Sequence, residues 1–163
     1  MQLLISDANI LIDLEEGQLI ERMFDLPYRF SIPDILFIEE LEEEHQHLLE
    51  LGLTLRELNS KTMTYAMNLI PRYKRASRND CFALALAAQE ECPLLTGDMA
   101  LRKAAESESV MVHGTLWLVE TMVKRRLISV KEARAAFQRM EAAGRRLPWP
   151  LAEAILQDLE SDS

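Results

Sequence analysis

The sequence predicts an α/β domain: a central parallel sheet of about four to five strands flanked by helices, with further helices at its C-terminal end. Three observations carry this prediction. The stretch 78–106, RNDCFALALAAQEECPLLTGDMALRKAAE, reads as helix, strand, helix, the crossover unit of a parallel sheet. The junction Leu3-Leu4-Ile5-Ser6-Asp7 places an acid at the end of a short apolar strand, as Leu94-Leu95-Thr96-Gly97-Asp98 does again later. After residue 127 no strand signal remains and only helical periodicity continues. The expected organisation is a sheet domain over 1–127 and a helical extension over 128–163 packed on it.

Taken in order, residues 3–6 are apolar on both faces, as a central parallel strand requires. Asp7 stands past the end of that strand, and a short helix follows from Ala8 until Gly17 closes it. A second short amphipathic helix is expected over 18–26, ended by Pro27. Residues 28–32 alternate and carry β-formers, giving a second strand closed by Pro33-Asp34. From Ile35 the apolar positions Ile38, Leu41, Leu48 and Leu49 predict one helix to Gly52, its other face a run of glutamates. His45 and His47 lie two apart in that helix, a spacing that puts their rings on different faces and argues against a metal pair.

Residues 53–55 read as an edge strand, and Asn59 or Ser60 caps a helix that runs to Pro71. The alanine- and leucine-rich run 82–88 is the next helix, with Asn79 or Asp80 in its first turn. Pro93 to Thr96 is too short for a helix and ends in Gly97-Asp98, so it is a buried strand, and Asp98 is a natural N-cap for the helix behind it. A strand over 110–113 and a helix over 116–124 follow. Ser129 and Glu132 fit a capping box opening a helix to Met140, with Gly144 as its stop. Pro148-Trp149-Pro150 breaks the chain before a last helix over 151–159.

With 27 acidic and 18 basic residues, the formal charge of -9 is opposite to that of a protein coating duplex nucleic acid with its whole surface. Any such contact must be local. Residues 72–78 supply a candidate, with Arg72, Lys74, Arg75 and Arg78 around Tyr73 directly before Asp80. Cys81 and Cys92 lack CxxC spacing and read as reduced core cysteines. No basic leader and no apolar run of membrane-spanning length is present, so the expectation is a soluble, cytoplasmic protein without membrane contact.

In parallel sheets, ligands gather beyond the carboxyl ends of the strands. Asp7 and Asp98 fall there, and Asp80 and one glutamate of the third helix come from early helical turns that face the same edge. Glu40 is that glutamate, with Glu39 and Glu43 as its alternatives. Clustered carboxylates need raised pKa values or a cation. Hard oxygen donors without His or Cys suit Mg²⁺ or Mn²⁺, and phosphodiester hydrolysis is the chemistry that uses such a site.

Ser6-Asp7-Ala8-Asn9, Glu40-Leu41, Asn79-Asp80 and Leu95-Thr96-Gly97-Asp98 with Leu101-Arg102-Lys103 occur in an order that resembles the PIN-domain family of small metal-dependent ribonucleases. That family includes the toxin half of many bacterial toxin-antitoxin pairs. The resemblance implies a three-layer PIN-like (Rossmann-like) domain in which Asp7, Glu40, Asp80 and Asp98 bind Mg²⁺ or Mn²⁺ and cleave single-stranded RNA. Asn9 and Thr96 would support the site by hydrogen bonds. A small antitoxin protein and a second copy of the chain are the protein partners this implies, with RNA as substrate. The reading set against it is a catalytically inactive PIN-like module that binds RNA or a protein partner.

Overall fold

In the computed structural model, which describes residues 1–162, the chain runs β1 (Gln2–Ser6), α1 (Ala8–Glu16), α2 (Ile20–Met23), β2 (Tyr28–Pro33), α3 (Asp34–Glu40), α4 (Glu42–His45), α5 (Leu48–Leu51), β3 (Thr54–Arg56), α6 (Ser60–Arg72), α7 (Arg78–Glu90), β4 (Leu94–Leu95), α8 (Met99–Ser107), β5 (Val112–His113), α9 (Thr115–Lys124), α10 (Val130–Ala142) and α11 (Trp149–Ser161). The strands among the described residues form one parallel sheet in the order β3-β2-β1-β4-β5. The chain leaves β1 toward β2 and later returns to β4 on its other side. The order therefore reverses between β1 and β4, which makes the crevice past their ends the switch point where ligands of such sheets bind.

Helices flank the sheet. α7 packs on β1 and β2 with α6 and α8 beside it, while α1 packs with α9 and α10. Cys81 through Ala87 of α7 are buried without interruption, because this helix is enclosed by α6 and the sheet together. Its alanines let neighbouring backbones approach. Among the described residues, no helix is long and apolar enough to cross a membrane.

Two predicted helices differ from the observed ones. The helix expected over 18–26 is a single turn, Ile20–Met23, and the residues after it make turns up to Tyr28. The long helix expected from Ile35 is three pieces, broken at Leu41, which is buried at φ -124°. Like charges three and four apart across Leu41, Glu39 with Glu42 and Glu43 and Glu40 with Glu43 and Glu44, weaken helix continuity, and sinking Leu41 into the core sets the bend. At the other end of the chain, α11 begins at Trp149 and includes Pro150 in its first turn, where a missing N–H leaves no hydrogen bond unmade.

The helices beyond residue 128 are not loosely appended. Ala136, Phe137, Met140, Leu156 and Leu159 belong to the same apolar core as the sheet residues. Gly17 is the contact point on α1: a Cβ there would lie 2.5 Å from Met140 Cε. The Arg139 guanidinium donates to the Gly17 carbonyl, at 2.7 Å from Nη2 and 3.2 Å from Nε.

Candidate active site

Asp7 leaves β1 as the N-cap of α1 and is 1% exposed. Its Oδ1 accepts the Ile10 N–H at 3.0 Å, and its Oδ2 accepts the Thr96 hydroxyl at 2.5 Å. Burial pushes the carboxyl up to about 7; the Thr96 and Ile10 bonds pull it back, and the negative charges of Asp80 and Asp13 push it further. Thr96 serves both sides of the crevice, because its oxygen also accepts the Asp98 N–H at 3.0 Å. Asp98 is the exposed N-cap of α8, with Oδ2 accepting the Leu101 N–H at 2.9 Å.

Asp80 stands in the first turn of α7, where Ser77 is the N-cap and accepts the Asp80 N–H at 3.1 Å. Its carboxyl is raised above the usual range, chiefly by burial and then by the charges of Asp98 and Glu40, with the Ser77 bonds opposing. The Asn79 amide spans the glutamates of α3, donating to Glu40 at 2.9 Å and to Glu39 at 3.1 Å. Glu39 also pairs with Arg78 at 3.6 Å, so its charge is partly met, whereas the charge of Glu40 reaches Asp80. Glu43 lies beyond the break at Leu41, on α4. Asn79 Oδ1 is buried without a hydrogen-bond partner among the described residues.

The fold thus brings Asp7, Asp80, Asp98 and Glu40 into one electrostatic neighbourhood at the switch point. Their oxygens do not form a closed cage: among the described residues, no three carboxylate, histidine or cysteine side chains are arranged to hold one metal ion. Asp7 and Asp98 each turn an oxygen toward the first turn of their own helix, which is the capping role their position after a strand favours. As donors they still fit a hard dication. All are carboxylates, two are held above their ordinary pKa by burial and mutual repulsion, and Asn79 Oδ1 adds an oxygen without a donor.

Asn9, expected to support the acids, is exposed, and its Oδ1 accepts Arg145 Nη2 at 3.1 Å. Asp13, not among the expected site residues, is 6% exposed and takes Arg145 Nε on Oδ1 at 2.6 Å and the Thr115 hydroxyl on Oδ2 at 2.8 Å. A signal was present: Asp13 interrupts an otherwise apolar helical face, four residues after Asn9.

The basic cluster divides. Arg72 pairs with Glu108 at 3.0 Å, and the Tyr65 and Tyr73 hydroxyls donate to the same carboxylate at 2.6 and 2.5 Å. Glu108 follows the C-terminal end of α8, roughly 15 Å along the axis from Asp98 at 1.5 Å per residue. Arg72 and Tyr73 therefore brace the far end of α8 instead of facing the acids. Lys74 and Arg75 are exposed and, with Lys103 and with Arg72 and Tyr73 themselves, line a groove of about 250 Å³ along α8; what separates Arg72 from them is its pairing with Glu108. Arg78 lies at the start of α7, over the Phe82 ring at 5.1 Å.

His45 and His47 do not diverge as helical spacing would have them. α4 ends at His45, and both rings meet Glu15, each at 3.1 Å.

A parallel sheet enclosed by helices, with a buried aspartate and three further acids at its switch point, defines an α/β acid-site domain. The chain belongs to the PIN-domain family: the family model "DUF3368: PIN domain" matches residues 3–161. No curated protein matches the sequence. Among solved structures, a PilT N-terminus domain protein, SSO1118, from Sulfolobus solfataricus P2 matches at 13% identity and a TM-score of 0.46, over 72% of this chain and 90% of its own. VapBC2 from Rickettsia felis, bound to a DNA fragment from its promoter, matches at 14% identity and a TM-score of 0.49, over 69% of this chain and 98% of its own.

Proposed function

We propose that this chain is a divalent-metal-dependent endoribonuclease that hydrolyses phosphodiester bonds of single-stranded RNA, with Asp7, Glu40, Asp80 and Asp98 as its catalytic acids. The observation that supports this most is the buried Asp7 carboxyl, pushed up to about 7 beside a second raised acid, Asp80. A fold does not keep mutually repelling carboxylates at a switch point without a compensating cation or proton. Mg²⁺ or Mn²⁺ held by these four residues would supply the charge that meets a phosphate and acidifies an attacking water.

The chain's own residues do the rest. Thr96 fixes Asp7 against rotation and ties it to the Asp98 backbone. Asn79 keeps Glu40 on the side of Asp80. Lys74, Arg75 and Arg78 are the cations this reading assigns to the RNA backbone, shortly before Asp80 in the sequence of a chain whose net charge otherwise repels it. The reading extends to a cytoplasmic toxin silenced by a small antitoxin protein, and to a homodimer.

Purified protein should degrade single-stranded RNA with Mn²⁺ or Mg²⁺, stop on adding EDTA, and lose the activity in Asp7→Asn and Asp98→Asn. Cleavage that persists in both variants would mark a contaminant and end the reading. The capping bonds of Asp7 and Asp98 favour a second reading, a catalytically inactive module that binds RNA or a protein partner. Calorimetry separates the two, since the inactive module would take up no Mn²⁺.

A further inference from the structure

Arg145, in the segment joining α10 to α11, lies against the first turns of α1. Its Nε donates to Asp13 Oδ1 at 2.6 Å, and its Nη2 donates to the Asn9 side-chain oxygen at 3.1 Å and to the Asn9 carbonyl at 3.4 Å. The Thr115 hydroxyl closes the other side of Asp13 at 2.8 Å, so α1, α9 and the extension meet at this carboxylate. Asn9 and Asp13 are one turn apart on the helix that Asp7 caps. Docking the extension does not require this contact with Asn9. Met140 over Gly17, and Arg139 on the Gly17 carbonyl, already seat α10 on the opposite end of α1.

We propose that Arg145 is a positioning residue of the acid site, by which the C-terminal extension holds the Asp7 end of α1 in register for a cation and a phosphate; this rests on the nuclease reading above. A carboxylate as enclosed as Asp13 needs a paired cation, and Arg145 offsets part of the negative charge that Asp13 sets near Asp7, a charge that unpaired would repel it more strongly. The guanidinium fork also engages the Asn9 oxygen, which fixes the carboxamide and leaves its N–H donors as the groups to meet a substrate or water oxygen. A lysine preserves the charge and loses the fork.

The test uses the full chain with Arg145→Lys, Arg145→Ala, Asn9→Ala and the Arg145→Lys/Asn9→Ala double variant. Mn²⁺ affinity is measured by calorimetry, kcat and KM on single-stranded RNA at saturating Mn²⁺, and folding by thermal melting. Arg145→Lys should melt with the wild type yet bind Mn²⁺ about 10- to 100-fold more weakly, the range for losing a residue that orients a ligand. kcat/KM for RNA should fall with it, because the Asn9 carboxamide is no longer held toward the substrate, and the double variant should be no weaker than the weaker single variant. Should Arg145→Ala fail to fold, Arg145→Lys still decides. Wild-type Mn²⁺ affinity in folded Arg145→Lys, or fully additive losses in the double variant, would overturn the proposal and leave the nuclease reading standing. A wild-type chain that neither binds Mn²⁺ nor cleaves RNA would remove both.

Discussion

Thr96 donates its hydroxyl hydrogen to Asp7 at 2.5 Å while its oxygen accepts the Asp98 backbone N–H at 3.0 Å, so one buried side chain links the ends of two neighbouring strands. Thr96→Val removes both bonds. A buried carboxylate oxygen loses its donor and an amide loses its acceptor, which should lower stability by about 1–3 kcal/mol in chemical denaturation. Because the hydroxyl holds the Asp7 carboxyl down, the same change should raise the pKa of Asp7, read from its carboxyl carbon resonance. Thr96→Ser should behave as wild type. Equal stability of the valine variant would mean that the bond contributes nothing to holding the crevice together.

Metal-free protein should become less stable as pH rises from about 4 to about 7. Unfolded aspartate releases its proton near 4, whereas folded Asp7 keeps its proton until about 7. Between these values the folded state binds more protons, so the slope of stability against pH is negative, at most about 1.4 kcal/mol per unit from this one group. It flattens above 7. Asp7→Asn should lose that slope and be the more stable protein at pH 8 in EDTA, measured by melting both proteins across the range. Mn²⁺ at pH 8 should raise the melting point of the wild type and not of the variant. Parallel pH curves for the two proteins would contradict the burial of a protonated Asp7.

What the sequence made legible was local. A short apolar run followed by Asp and a helix marks both β1-Asp7-α1 and β4-Asp98-α8, because strand, cap and helix are each encoded within about ten residues. The order of motifs then put their ends on one sheet edge. Asp13 stood out as an acid on an apolar helical face, but its pairing with Arg145 was not legible, since the two are far apart in the chain and nothing local marks the arginine. The fate of Arg72 was hidden in the same way by Glu108, a residue that looks like any helix-end acid until Tyr65 and Tyr73 close on it. The break at Leu41 defeated the periodicity argument because the apolar spacing continues across it, and the decision to bend is made by packing.

Gly17 and Met140 should show coupled stability. The Gly17 backbone, at φ -79°, is open to any residue, so Gly17→Ala meets a packing obstacle alone: its Cβ would stand 2.5 Å from Met140 Cε and 3.3 Å from Cγ. Met140 is fully buried, and overfilling such a contact costs about 1–3 kcal/mol. Met140→Ala alone leaves a cavity and should cost about 2–5 kcal/mol. Combined, the alanine at 17 occupies part of that cavity, so the double variant should be more stable than the sum of the singles predicts. Simple additivity in urea denaturation would show that α10 does not rest on this point.

The divided basic cluster predicts different consequences for cations that are close in sequence. Lys74→Glu and Arg75→Glu change the groove that runs along α8 with Lys103, and each should weaken RNA binding and reduce its salt dependence by about one phosphate contact. Arg72→Ala should cost less RNA affinity than either, because that guanidinium, although it lines the same groove, is already paired with Glu108, and its loss should fall mainly on stability. Fluorescence anisotropy with single-stranded RNA across a salt series, in EDTA to prevent cleavage, measures all three. Since the chain carries a formal charge of -9, binding without metal will be weak, and the comparison rests on differences between variants. A loss in Arg72→Ala equal to that in Lys74→Glu would place the RNA track across the Glu108 end of α8 and move the substrate path away from the course these residues assign to it.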